Sequence, residues 1–149
     1  MSNAWISSVG TTTGNINFNL GGEYSLQGFS FWNFNSFDPP GPGIKDVNIF
    51  TSLDNITYTP LSGAPTVFNQ GVAFNLEPPQ TFSFSPVLAR YVRFQVLSNY
   101  GGSTIGFDEV QFFDSTSTPI PTPALVPGLL GLGGAIWRKR RAEAAEARE

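Results

Sequence analysis

From Ile16 to Phe113 apolar and polar positions alternate with a period of two, the spacing of half-buried strands rather than helices. Ile16, Phe18 and Leu20 alternate with asparagine in NINFNL. In GFSFWNF, Phe29 and Phe31 share one face, and Trp32 and Phe34 the other. The stretch NSFDPPGPG, residues 35–43, predicts a connection, because its prolines have no N–H to give a central sheet. IKDVNIFTS (44–52) predicts a strand with Val47, Ile49 and Thr51 on one face, and SLDNITYTPL (52–61) a tight hairpin around Asp54-Asn55. Residues 65–75 and 80–84 predict short strands. ARYVRFQVLS (89–98) places Val92, Phe94 and Val96 on one side, with Tyr91, Arg93 and Gln95 on the other. A turn at 99–102 leads into TIGFDEVQFF (104–113), which closes the set. No part of this body has helical periodicity, and Trp5 and Trp32 are expected in the core. Many short strands at this spacing predict an all-β sandwich or jelly roll.

Composition narrows the chemistry more than the architecture. The 149 residues include 14 Phe and 28 Gly plus Pro, which suits a β domain with many turns, but no Cys and no His. A thiol nucleophile, a disulfide framework and a Ser-His-Asp triad are therefore excluded. Charge is uneven. Residues 1–137 carry three cations (Lys45, Arg90, Arg93) against eight carboxylates, whereas residues 138–149 carry five cations and three carboxylates. An acidic body with three cations is a poor phosphate-binding surface, so no nucleic acid partner is expected. Arg90 and Arg93 flank Tyr91 and are expected to stack on an outer face. Glu23, Asp38, Asp46, Asp54 and Glu77 are scattered, mostly near turns, and give no glycosidase-like pair. Asp108 and Glu109 are neighbours on a strand and so point to opposite faces. The body is not expected to be an enzyme.

The order FNLGGEYSLQGFSFWN, GIKDVNIFTSLDNITYTPL, ARYVRFQVLSN, GGSTIGFDEVQFF resembles the discoidin or coagulation factor 5/8 C-type family over residues 5–113. The resemblance implies a galactose-binding-like jelly-roll β-sandwich that binds rather than catalyses, with carbohydrate, phospholipid or protein as the ligand. In that family ligands meet loops at one end of the sandwich, which here implies residues 33–43 and 99–103. Tyr100 then offers a ring face to a sugar, and Asn33, Asn35 and Asn99 offer amides to its hydroxyls. Each of these also reads as an ordinary turn or core residue. Family members carry one or two strands and an acidic calcium-binding loop ahead of the segment matched by Ala4–Ser8. The resemblance thus implies that this chain lacks its opening strands. Glu109 matches a calcium-binding glutamate, but one carboxylate is not a site for an ion that takes six to eight oxygens. No cofactor is expected, with calcium implied only for a longer form.

Beyond the body (1–114) the pattern changes. Residues 115–123 are a Ser/Thr/Pro stretch that predicts a stiff spacer. Residues 124–137 are mostly apolar and would span about 21 Å as a helix, short of the roughly 20 residues that a bilayer core needs. Trp137 and Arg138, Lys139, Arg140 and Arg141 then read as an interface anchor and stop signal, with 138–149 as a basic cytoplasmic tail. Motif, apolar run and basic cluster together resemble the PEP-CTERM class of bacterial sorting signals. Pro121, Thr122, Pro123 and Ala124 occupy the motif, with Thr122 where the typical motif has Glu. That resemblance implies an exosortase-type processing protease as partner, transient residence in the inner membrane, and delivery to the envelope or medium. Export requires a leader, and MSNAWISSVG has no basic or apolar leader region. The natural start is thus expected upstream. The expected function is an exported glycan-binding module. The alternative is a structural envelope or biofilm-matrix protein acting through protein contacts.

Overall fold

The computed structural model describes residues 4–37, 39–121 and, by their backbone, 124–125. Within them every regular element is a strand: β1 (Trp5–Ile6), β2 (Gly14–Asn33), β3 (Val47–Ser52), β4 (Thr59–Pro60), β5 (Gln80–Val96), β6 (Gly106–Asp114) and β7 (Ala124–Leu125). Hydrogen bonding runs in the order β1-β6-β2-β5-β3-β4, with β7 against β2, and every pairing between these strands is antiparallel.

Two long strands turn this ribbon into a sandwich. Phe18 and Phe29 are eleven residues apart on β2, about 36 Å in a flat strand. Phe29 pairs with Phe112, yet the rings of Phe18 and Phe112 lie 5.5 Å apart. β2 must therefore fold back over itself. It does so where its register against β5 jumps between Asn19 and Tyr24. Gly21 adopts φ 87° at that corner, a conformation that costs a side-chain-bearing residue about 1–2 kcal/mol, and its N–H donates to Asn19 Oδ1 at 2.9 Å. One layer thus holds Gly14–Asn19 of β2, Tyr91–Val96 of β5, and β3 and β4. The other holds the second half of β2, the first half of β5, β6 and β1.

The core is aromatic. Phe18 and Phe94 from one layer meet Phe29, Phe31, Phe107 and Phe112 from the other, and all are fully buried. Phe68 joins from a loop and stacks on Phe31 at 4.0 Å. The expected inward faces hold, with Ile16, Val47, Ile49, Val92 and Val96 buried beside these rings. So does the all-β class.

Five expectations need correction. Residues 65–75 are not a strand: Val67 forms a single bridge to Asp46, and Gly71 and the left-handed Phe74 bend the rest into a loop. The hairpin at Asp54-Asn55 is wide rather than tight, since the chain leaves β3 at Ser52 and re-pairs only at Thr59. Trp5 is core, but Trp32 is only half-buried, because its neighbours on β2 point into the core and it points out. The segment after β6, expected as a stiff spacer, is tied to the sandwich through residue 120. Asp114 Oδ1 accepts from the N–H groups of Thr116 and Thr118, and Ile120 is buried with its N–H on Phe112 O at 2.9 Å. Ala124 and Leu125, placed by the sequence at the head of an apolar helix, run extended and pair with Asn19 and Phe18. The rest of that run, with Trp137 and Arg138 to Arg141, lies outside the described residues, as do Thr122 and Pro123 of the motif. Among the described residues no helix is long and apolar enough to cross a membrane.

Candidate functional site

Three connections meet at one end of the sandwich: 34–46, 66–79 and 97–105. Backbone bonds sew the first to the third. Tyr100 N donates to Gly41 O and Gly43 O, Gly102 N to Gly41 O, and Gly106 N to Pro42 O, all within 3.1 Å. The second joins the first through Phe68 N to Lys45 O (2.9 Å) and Phe74 N to Asn35 O (2.8 Å). Gly71 permits that contact, since a Cβ there would stand 2.7 Å from Phe34 O.

All four residues expected to bind a ligand lie at this end, but they do different work. Asn33 is 5% exposed. Its Nδ2 donates to Ile44 O and Asn69 O, both at 2.8 Å, and its Oδ1 accepts from Phe34 N and Ile44 N, both at 2.9 Å. Both donors and both lone pairs of the amide are engaged, so Asn33 is a clamp on the loops and has nothing left for a sugar hydroxyl. Asn99 is similar. Its Nδ2 donates to Gly102 O and Thr104 O and its Oδ1 accepts from Gly101 N, which shapes the 99–104 turn. Asn35 donates to Asn75 O at 2.7 Å and holds the 66–79 loop, leaving amide capacity outward. Tyr100 is half-buried and donates its hydroxyl to Phe68 O at 2.7 Å, with Lys45 Nζ 5.8 Å from its ring centre. Burial pushes its phenol above the usual tyrosine value.

The residue that pattern reading missed is Phe74. It is 75% exposed and sits at φ 55°, in the left-handed region that bulky residues avoid. Val72 and the fully exposed Leu76 flank it. The loop is braced by Val72 N donating to Glu77 Oε2 at 2.9 Å and Asn75 N to Val72 O at 3.1 Å. Strain of this kind costs about 1–3 kcal/mol and tends to mark functional sites. The only sequence signal was an unbalanced GVAFNL run whose apolar residues match a strand face equally well.

Glu109 lies on β6 opposite Trp32, half-buried. Among the described residues no three Asp, Glu, His or Cys side chains gather closely enough to hold a metal ion. Asp46, Asp54, Glu77 and Asp114 each accept hydrogen bonds from their own loops or from Ser98. At the opposite end, the β3–β4 hairpin and residues 84–88 enclose a cleft of about 790 Å³. Hydroxyls of Thr57, Thr59, Ser62 and Ser85 line it, but no amide or cationic side chain does. The loop end is the better candidate.

Residues 1–109 match the family model of the F5/8 type C domain. No curated protein matches in sequence. Among solved structures, CpGH89CBM32-5 from Clostridium perfringens, in complex with GalNAc-β-1,3-galactose, is 18% identical with a TM-score of 0.55 over 66% of this chain and 64% of that one. CBM32-1 from a family 31 glycoside hydrolase of the same organism is 15% identical, with a TM-score of 0.59 over 76% of this chain and 79% of that one. The family 89 glycoside hydrolase of that organism, in complex with 2-acetamido-1,2-dideoxynojirmycin, is 19% identical with a TM-score of 0.52, and the match covers 74% of this chain but 11% of the enzyme. At these identities the likeness is one of fold, and it agrees with the jelly-roll sandwich described above. The family match spans most of the sequence, and the chain belongs to the F5/8 type C domain family.

Proposed function

We propose that the domain is an exported, non-catalytic glycan-binding module whose ligand meets the loop end between residues 34–46, 66–79 and 97–105. Phe74 carries the reading. A strained, braced and exposed aromatic ring offers a flat apolar face, and a sugar ring offers its C–H face in return. Asn35, with Tyr100 and Lys45 nearby, supplies polar contacts that fix orientation. The CBM32 neighbours support the ligand class, and the glycan in one of them suggests a galactose- or N-acetylgalactosamine-containing sugar. The tail reading belongs to the same proposal. Pro121 to Ala124, the apolar run and Arg138 to Arg141 act as a sorting signal for an exosortase-type protease. Intact mass of the protein from envelope and medium tests it, and an unprocessed terminus at Glu149 in both fractions argues against it.

The binding test is calorimetric titration of GalNAc-β-1,3-galactose into the wild type, Phe74→Gly and Tyr100→Ala. Phe74→Gly is expected to weaken binding at least tenfold while its melting temperature stays level or rises, because glycine relieves the left-handed strain. Unchanged affinity in Phe74→Gly would sink the assignment. A second reading, a matrix protein acting through protein contacts, draws on the same loop, whose exposed Val72 and Leu76 are suited to an apolar partner surface. Concentration-dependent association abolished by Leu76→Ser would favour it.

A further inference from the structure

The outward face of the β2–β5–β3 layer carries a second pattern that the loop end does not use. Three cross-strand rows stand in register: Asn15, Gln95 and Asn48; Asn17, Arg93 and Phe50; Asn19, Tyr91 and Ser52. Rows lie about 7 Å apart along the strands, and neighbours within a row about 4.8 Å apart. Asparagine is depleted in strands, yet β2 places three at alternate positions on this face. Sheet propensity does not account for that choice.

The hydrogen bonds on this face leave capacity unused. Asn48 Nδ2 donates to Gln95 Oε1 at 3.1 Å, so Asn48 Oδ1 and the Gln95 amide hydrogens remain available. Arg93 is the one cation among the nine positions, and it is covered. Its guanidinium lies 3.6 Å from the centre of the Tyr58 ring, and its Nε donates to Asn17 Oδ1 at 2.9 Å. None of the nine positions is a carboxylate. Asn17 and Ser52 are buried and already hydrogen-bonded, and Arg90 stacks over the Tyr91 ring at 5.7 Å. The open part of the face is thus the amide row Asn15, Gln95 and Asn48, with the half-buried Phe50 ring beside it.

We propose that this face is a second binding surface, separate from the loop end, for an extended and uncharged polysaccharide chain. Amides match hydroxyls in both hydrogen-bonding senses, and the aromatic rings match the apolar sides of sugar rings. An open row that crosses three strands suits a run of sugars rather than a chain end. The row Asn15, Gln95 and Asn48 carries no charge and so gives no advantage to a charged ligand.

Affinity electrophoresis of the full chain in gels holding xyloglucan, mixed-linkage β-glucan or galactomannan tests the idea, with polygalacturonate as the anionic comparison. At least one neutral polymer is expected to retard the wild type, and polygalacturonate to do so less. Asn48→Ala/Gln95→Ala and, separately, Phe50→Ala should each lose most of that retardation at a melting temperature within a few degrees of the wild type. Both should keep their response to GalNAc-β-1,3-galactose, and Phe74→Gly should keep the polymer response. The two sites can therefore fail separately. Retardation that survives both face variants, no retardation by any neutral polymer, or face variants that instead abolish a dimer of this chain would each overturn the proposal.

Discussion

Replacing Asn33 by alanine tests whether the loop end is held by a single buried amide. The substitution removes two acceptors and two donors together. Asn69 O keeps a second partner in Gln80 Nε2 at 3.0 Å, so it is not orphaned. Phe34 N, Ile44 N and Ile44 O lose their side-chain partner in a region where Phe34 and Ile44 are buried. Each buried orphan costs about 1–3 kcal/mol. Three orphans, partly repaired by water entering the gap, give about 3–5 kcal/mol. That is a large share of the roughly 5–15 kcal/mol typical of a domain, and it lowers the melting temperature by about 10–15 °C. Urea and thermal unfolding followed by tryptophan fluorescence measure it, since Trp5 is buried and Trp32 half-buried. Asn35→Ala is the control, because it removes one exposed bond and should cost under about 1 kcal/mol. Asn33→Asp separates donors from acceptors: it keeps both acceptors but turns a carboxylate toward the carbonyls of Ile44 and Asn69, and it should destabilise as much as alanine. If Asn33→Ala unfolds within about 1 kcal/mol of the wild type, or no earlier than Asn35→Ala, the clamp argument fails and the residue is free for a ligand after all.

Two further predictions concern the opposite end and the chain after β6. Asp54 is exposed and its carboxyl lies below the usual value because Ile56 N–H, Thr57 N–H and the Ser52 hydroxyl donate to it. A depressed folded-state value means that its contribution is complete above the unfolded value near ~4 and lost as pH falls through the folded one. Urea midpoints from pH 6 to pH 2 should fall more steeply in the wild type than in Asp54→Asn, and parallel curves would contradict the link. Ile120→Ala should cost about 2–4 kcal/mol because the side chain is fully buried, whereas Ile56→Ala, at a position 84% exposed, should stay within about 0.5 kcal/mol. Equal effects would mean that the segment after Asp114 is not part of the folded unit.

Much of the sandwich was legible because burial acts on alternate residues, and the alternation of Ile16, Phe18 and Leu20 or of Val92, Phe94 and Val96 records which side is dry. What alternation does not record is continuity. Residues 80–84 and 89–98 read as separate strands, since Pro86 and the exposed residues around it interrupt the pattern, yet both belong to β5. It also misreads residues 65–75, where Phe68 is core and Phe74 is solvent-facing. Two Phe six residues apart fit the same face of a strand. Only the left-handed turn at Phe74, braced by its N–H on the carbonyl of Asn35, 39 residues earlier in the sequence, sends the second one outward. Ile120 was hidden for the opposite reason: a lone apolar residue between prolines has no period to reveal it.

The asparagines show where this kind of reading stops. Asn15, Asn17, Asn19, Asn33, Asn35, Asn48 and Asn99 present the same amide, and composition cannot rank them. The structure ranks them by what remains after the fold has taken its share of hydrogen bonds. Asn33 is saturated by backbone groups, and Asn99 has both amide hydrogens and one carbonyl lone pair so engaged, so they set loop shape and their donors cannot be recruited by a ligand without breaking the loop. Asn35 and Asn48 each give one amide donor bond and keep an open carbonyl oxygen. A buried amide makes its bonds on folding, and an exposed one makes them with water until a ligand displaces that water. On the binding surfaces proposed above, recognition falls to amides that the fold does not need: Asn35 beside the braced Phe74 loop, and Asn48 and Gln95 on the outer face, rather than the asparagines nearest the core.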